Sequence, residues 1–100
     1  MKSKEEILKF LSGNKEYLKE TFHIVKIGIF GSYARGDNES ASDIDLIVEF
    51  EENTPNLFDL KRKLKAYIKN NLHLDVDICR EKYIKPRYRK VILSEAEYVN

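Results

Sequence analysis

The first half of the chain changes from helical to strand-like spacing of its hydrophobic residues. Ser3-Lys4-Glu5-Glu6 has the spacing of a capping box, and the apolar residues after it share one helical face up to a break at 12–14. A second short helix is predicted over residues 15–22. Ile24 to Phe30 is then a β-branched apolar run, which predicts a strand with little solvent exposure.

The second half continues this alternation of helices and strands. A polar stretch over 36–42 precedes a second predicted strand, Asp43 to Phe50, and residues 56–71 carry the apolar stripe of a helix that lies on a sheet. Leu74 to Cys79 alternates as a third strand, and Pro86 suits the first turn of a last helix. The pattern predicts an α/β (α+β) domain with a small sheet.

Composition narrows the class of protein. A chain of 100 residues with 42% apolar and 35% charged residues suits one globular domain, so we expect residues 1–100 to form a single domain. Eighteen basic and seventeen acidic side chains nearly cancel, and the overall charge therefore points to no polyanionic partner. A lone cysteine, Cys79, and the lack of an apolar leader or membrane-length run favour a cytoplasmic protein without membrane association.

The first candidate site element is Gly31-Ser32, where the first strand gives way to a short predicted helix. A glycine there allows close approach of the backbone to a phosphate. The N–H groups of the helix start and the Ser32 hydroxyl could then bind phosphate oxygens, and Arg35 could add positive charge. A glycine and a serine are also common in ordinary turns, so this element carries little weight alone.

The second element is the pair Asp43 and Asp45, which is preceded by Ser42. Side chains two residues apart on a strand project from the same face, so both carboxylates can reach one metal site. Mg²⁺ prefers oxygen ligands and completes its shell with water and substrate phosphates. Two aspartates at the start of an otherwise apolar strand therefore predict a cation site, although such a pair also occurs by chance.

A third carboxylate would come from Asp75 or Asp77 on the next strand. If that strand lies beside the strand of Asp43 and Asp45, one of its aspartates joins them on the common face. Three carboxylates could hold two Mg²⁺ ions, which is the arrangement that supports in-line phosphoryl displacement. We expect Asp77 because it lies nearer the strand centre, but alternation places both candidates on the same face.

These residues together resemble a known family. Gly31-Ser32, ten intervening residues, Asp43-x-Asp45 and a later Asp77 resemble the signature of the DNA-polymerase-β-like nucleotidyltransferases. The stretches over 31–36 and 42–50 are similar to the minimal nucleotidyltransferases (MNT proteins) of prokaryotes, and the resemblance covers nearly the whole chain. It implies a mixed sheet flanked by helices. Gly31 and Ser32 would contact the triphosphate, Asp43 and Asp45 would bind magnesium, and Asp77 would be the third ligand or the base.

The resemblance also implies a partner. Larger relatives resemble this core with an added helical domain that holds the acceptor, and 100 residues leave no room for one. In the MNT family the partner is commonly a HEPN-domain ribonuclease toxin encoded alongside. The expected activity is transfer of AMP from ATP to a tyrosine hydroxyl of that toxin, which would neutralise it. On this interpretation the chain is an antitoxin, with Gly31, Ser32, Arg35 and Ser42 as nucleotide-binding candidates.

Two alternatives of other classes remain. The chain could be a non-catalytic antitoxin that acts by binding alone, against which the intact set of carboxylates argues. It could also be a small nucleic-acid-binding module, because a basic run with two interleaved tyrosines lies between Arg80 and Lys90. That run equally suits a solvated last helix or a surface for the toxin, and we expect no direct nucleic-acid binding. The run consists of Arg80, Lys82, Tyr83, Lys85, Arg87, Tyr88, Arg89 and Lys90.

Overall fold

The protein is a four-stranded sheet with helices packed against it. The structure, a computed structural model, describes residues 3–39 and 42–99. The elements are α1 (Lys4–Gly13), α2 (Lys15–Phe22), β1 (Ile24–Phe30), α3 (Gly31–Arg35), β2 (Ile44–Phe50), α4 (Leu57–Leu72), β3 (Val76–Arg80), a 3₁₀ turn (Glu81–Tyr83), α5 (Pro86–Glu95) and β4 (Glu97–Tyr98). Within those two ranges, no helix has both the length and the apolar character needed to span a bilayer.

The sheet is mixed, as the resemblance implied. Its strand order is β3-β2-β1-β4, with β1 antiparallel to both β2 and β4 and with β2 parallel to β3. The predicted α+β class is therefore confirmed. Strand β4 was not predicted because two residues are too short to show an alternating pattern.

The core lies on one face of the sheet. Ile29 and Leu46 are opposite each other in the β1–β2 register, and both are fully buried. They belong to one apolar cluster that also contains buried residues of α1, α2 and α4, because each of these helices has an apolar stripe. Ile47, one position along from Leu46, is buried outside this cluster and faces the other way. The start of β2 therefore has an apolar face and a second face available for polar side chains.

One expectation about β1 is wrong in part. The strand was expected to have little solvent exposure, but Val25 is 58% exposed. Strand β4 pairs only with Gly28 and Ile29, and the β1–β2 register is irregular between Ile24 and Lys26. Among residues 3–39 and 42–99, the first half of β1 therefore has no neighbouring strand on the side of β4, and the side chain of Val25 reaches water.

Candidate active site

Three aspartates lie near one another at one end of the sheet. Asp45, the second residue of β2, pairs with Phe30 of β1 on one side and is in register with Asp77 of β3 on the other. Residues in register on neighbouring parallel strands share a face, at a strand spacing of about 4.8 Å. Asp43 lies just before β2, close enough for its charge to act on the Asp45 carboxyl. The structure thus places Asp43 and Asp77 near Asp45, and the catalytic and metal-binding roles of the three residues stay predictions.

The electrostatics of Asp45 reflect this grouping. Partial burial raises the pKa of the Asp45 carboxyl above its usual value of 3.8, and the negative charges of Asp77 and Asp43 raise it further. The positive charge of Arg35 acts in the opposite direction. The charged form of Asp45 is therefore disfavoured by its surroundings, and a bound cation would relieve both the burial cost and the repulsion.

The structure separates the two acids that alternation left equivalent. Asp75 precedes β3, and its carboxylate forms an ion pair with Lys69 of α4 at 2.8 Å. This pairing lowers the pKa of the Asp75 carboxyl, and the side chain is 65% exposed. Asp77, by contrast, is in register with Asp45. Asp75 is therefore paired with α4, whereas the charge of Asp77 acts on Asp45. The role of Asp77 as the third carboxylate stays a prediction.

The carboxylates suit a magnesium site by their chemistry. Carboxylate oxygens are the ligands that Mg²⁺ prefers, and Asp45 lies between Asp43 and Asp77 with a pKa that both neighbours raise. Among residues 3–39 and 42–99, no three acidic, histidine or cysteine side chains are drawn together closely enough to form a metal cluster.

The turn at Gly31 lies directly against this group. Gly31 begins α3 with a φ of 73°, a backbone conformation that residues other than glycine rarely adopt. A Cβ added there would collide with the Oδ2 atom of Asp45 and would lie 3.1 Å from its Cγ atom. Two constraints thus require glycine at this position. The close contact brings the backbone at the start of α3 beside the Asp45 carboxylate.

Ser32 and Arg35 make contacts at the C-terminal end of α3. The Ser32 carbonyl oxygen accepts hydrogen bonds from the N–H groups of Gly36 at 2.9 Å and Asp37 at 3.1 Å. The Arg35 guanidinium forms ion pairs with Asp37 at 3.0 Å and with Glu95 of α5 at 3.1 Å. Glu95 had no sequence signal, since its partner lies sixty residues earlier. The phosphate-binding roles of Ser32 and Arg35 stay predictions, and Arg35 would have to exchange these acids for a phosphate.

Ser42 holds the loop that leads to Asp43. Its hydroxyl accepts a hydrogen bond from the Glu39 N–H at 2.8 Å, and its own N–H donates to the Glu39 carbonyl at 3.0 Å. This reciprocal pair fixes the backbone just before the first carboxylate. The contact is a structural one, and nucleotide binding by Ser42 stays a prediction.

Tyr33 is a residue of the site region that sequence analysis did not identify. Its side chain is fully buried, and its hydroxyl has no hydrogen-bond partner in the part of the chain that the structure describes. Burial raises the pKa of this hydroxyl, and the charge of Asp43 raises it further. The sequence does not show that Tyr33 is buried, because its burial depends on how α3 packs against the rest of the domain.

Comparisons with known proteins agree with this geometry. The family model described as "Nucleotidyltransferase domain" matches residues 8–99. Protein adenylyltransferase MntA of Thermococcus cleftensis is 39% identical over 95 residues, which cover 95% of this chain and 94% of that protein. A solved structure described as a minimal nucleotidyltransferase is similar at a TM-score of 0.71 and 34% identity, and the match covers 90% of this chain and 93% of that one.

A more distant structure shares the fold. A toxin–antitoxin complex crystallised with AMP-PNP contains a chain that is similar at a TM-score of 0.67 and 21% identity, with 84% of this chain and 67% of that one covered. The family match and the relatives of similar length support the same assignment as the grouped carboxylates and the glycine turn. The chain belongs to the nucleotidyltransferase-domain family, as a minimal nucleotidyltransferase of the DNA-polymerase-β-like superfamily.

Proposed function

We propose that this protein is an antitoxin that transfers AMP from ATP to a tyrosine hydroxyl of a partner HEPN ribonuclease toxin and so neutralises the toxin. A relative of nearly the same length is named protein adenylyltransferase MntA. A neighbour in fold, at 17% identity and a TM-score of 0.60, is described as a tri-AMPylated Shewanella oneidensis HEPN toxin in complex with MNT antitoxin. The observation that carries the proposal is the register of Asp45 with Asp77 beside the Gly31 turn.

Some of the site residues bind the triphosphate of ATP, and the others hold Mg²⁺ and take part in the reaction. Gly31 lets the backbone approach the triphosphate of ATP, and the Ser32 hydroxyl donates to a phosphate oxygen. Asp43, Asp45 and Asp77 would hold Mg²⁺, which when bound neutralises negative charge on the phosphates. Placing the α-phosphate against these carboxylates orients it for attack by the acceptor hydroxyl.

The transfer exchanges one phosphorus–oxygen bond for another. The tyrosine oxygen bonds to the α-phosphorus of ATP as the bond to the bridging oxygen breaks, and pyrophosphate leaves with that electron pair. Asp77 accepts the proton of the attacking hydroxyl and later passes it to water. The products are the AMP ester of tyrosine and pyrophosphate, and no oxidant or further co-reactant is needed.

Mass spectrometry tests the proposal. The purified protein is incubated with ATP, Mg²⁺ and the HEPN protein encoded beside it, and the HEPN protein should gain the mass of one or more AMP groups. The Asp43→Asn variant should lose at least about 100-fold in rate, as expected for removal of a catalytic carboxylate, while it keeps the thermal unfolding temperature of a folded domain.

The same experiment separates catalysis from binding alone. If Asp43→Asn still neutralises the toxin's ribonuclease activity without any added mass, the protein acts by binding and the catalytic proposal is wrong. If Asp43→Asn instead transfers AMP at the normal rate, Asp43 does not take part in catalysis or metal binding.

The nucleic-acid alternative has less support once the basic run is placed in the fold. The Arg80 guanidinium forms an ion pair with Glu49 at 3.0 Å, and Arg89 donates a hydrogen bond to the Glu81 carbonyl at 2.8 Å. Two of the cations therefore hold this segment to the domain. Salt-sensitive RNA binding that survives the Asp43→Asn change would favour the alternative.

A further inference from the structure

A groove lies beside Asp77, on the side away from the Gly31 turn. It has a volume of about 350 Å³ and runs between α4 and β3. Four of its lining residues come from α4 at positions i, i+3, i+4 and i+7, which places them on one helical face. The lining residues are Phe58, Lys61, Arg62, Lys65, Asp77 and Ile78.

The position of the groove in the sheet bears on the side from which the acceptor hydroxyl would approach ATP. The strand order places Asp45 on β2 between the end of β1, where Gly31 lies, and β3, which carries Asp77. An in-line displacement needs the attacking oxygen opposite the leaving group. With the β- and γ-phosphates beside Gly31, the acceptor hydroxyl has to approach from the side of Asp77. On the proposed function, the groove therefore lies on the side from which the acceptor would approach.

The chemistry of the groove indicates what it binds. Lys61 and Lys65 form no ion pair with any residue in 3–39 or 42–99, and Arg62 is paired with Asp59. The Phe58 side chain is 86% exposed, so its ring is available for contact. The neutral adenine of ATP would leave these cations unmatched. A peptide with carboxylates and an apolar or aromatic side chain would match both the charges and the ring.

We propose that this groove binds the acceptor segment of the protein substrate and selects a tyrosine flanked by acidic residues. Lys61 and Lys65 pair with carboxylates of that segment, and Phe58 packs on one of its apolar side chains. The acceptor hydroxyl then lies next to Asp77. This inference rests on the proposed function, to which it adds the chemistry of the protein substrate.

Peptide binding tests the groove without any need for transfer. The probe is a fluorescent peptide with one tyrosine between glutamates, measured by anisotropy in low salt against the same peptide with glutamines. The glutamate peptide should bind about tenfold more tightly, and the double variant Lys61→Glu/Lys65→Glu should lose that difference. Phe58→Ala should weaken both peptides.

A second double variant controls for net charge. Lys9→Glu/Lys15→Glu changes the charge by the same amount on exposed lysines of α1 and α2, away from the groove. It should bind the glutamate peptide as the unchanged protein does. Equal binding of the two peptides, or equal loss in both double variants, would show that the groove does not select acidic segments.

AMP transfer to the same peptides separates this inference from the function on which it rests. Transfer with equal kcat/KM to both peptides, unaffected by Lys61→Glu/Lys65→Glu, would overturn the groove and leave the adenylyltransferase in place. Groove-dependent binding of the glutamate peptide, with no AMP transfer to it or to the HEPN protein, would instead overturn the proposed function. Tighter binding of a single-stranded oligouridylate that displaces the peptide would assign the groove to RNA and overturn the inference.

Discussion

At the scale of one residue, the Asp45 carboxylate leaves room for no residue other than glycine at position 31. Asp45 is in register with Phe30 of β1 and Asp77 of β3, and partial burial with the charges of Asp77 and Asp43 raises the pKa of its carboxyl. The turn at Gly31 packs against this carboxylate so closely that any side chain there would displace it. Gly31 and Asp45 therefore form one geometric unit, although the sequence pattern predicts separate roles for them, phosphate contact for Gly31 and metal binding for Asp45.

A pair of alanine substitutions tests this unit. Gly31 and Gly36 both have positive φ, 73° and 82°, but an added Cβ at Gly36 meets nothing within 4 Å. Gly36→Ala should cost only the backbone strain, about 1 kcal/mol of unfolding free energy. Gly31→Ala should cost about 3 kcal/mol because the collision with Asp45 adds to that strain, and it should abolish AMP transfer.

Urea denaturation of both variants, with transfer assayed on the folded fraction, measures these effects. Equal losses of stability in the two variants would show that the Gly31–Asp45 contact carries no additional cost.

At the scale of secondary-structure elements, the parallel pairing of β2 with β3 places Asp77 in register with Asp45. The third strand was predicted over 74–79 but extends from Val76 to Arg80. His73 ends α4 in a left-handed conformation, and Lys69 of α4 holds Asp75, so 73–75 is a connection rather than a strand. Asp77 was the expected third carboxylate, and its register with Asp45 is a stronger reason than its closeness to the strand centre.

Replacing each aspartate of β3 and its connection by asparagine tests this distinction. Asp77→Asn should lower the rate of AMP transfer by at least about 100-fold, because it removes a ligand and proton acceptor. Asp75→Asn should keep the rate within about twofold and leave the urea midpoint of unfolding almost unchanged, since it breaks only the exposed ion pair with Lys69.

Single-turnover kinetics with ATP and Mg²⁺ compare the two variants at equal folded fraction. If the Asp75 variant is the inactive one, the assignment of the third carboxylate is reversed.

At the scale of the whole molecule, the end of the described chain is tied back to the sheet and to the turn after β3. The Tyr98 hydroxyl of β4 donates to the Glu81 carboxylate at 3.1 Å, and the Lys26 ammonium of β1 binds the same carboxylate at 3.1 Å. Lys26 also lies 4.5 Å from the centre of the Tyr98 ring. Three distant parts of the sequence thus meet in one cluster, which attaches β4 to the domain.

This cluster predicts an alkaline instability. Burial, followed by the charge and hydrogen bond of Glu81, raises the pKa of Tyr98 from 10.0 to about 12. Between these two values the unfolded chain ionises while the native state keeps its proton, so the native state binds more protons and its stability falls as pH rises. The contribution of Tyr98 should be fully present below pH 10.0 and lost progressively as pH rises through about 12.

Urea denaturation across this alkaline range compares the unchanged protein with Tyr98→Phe. The variant should show a smaller decline in unfolding free energy with rising pH. Tyr17→Phe, which alters a tyrosine 46% exposed on α2, is the matched control and should decline as the unchanged protein does. Parallel declines in all three proteins would contradict the role assigned to Tyr98.

The sequence by itself determined the helices, the three longer strands and the candidate motifs, because these depend on local spacing. Apolar periodicity identifies which face of an element is buried, and Gly31-Ser32 with Asp43 and Asp45 is a local pattern. Tertiary structure alone decided the short strand β4, the exposure of Val25 and the groove beside Asp77. It also separated Asp75 from Asp77, because strand register and the partner of a side chain depend on contacts between residues far apart in sequence.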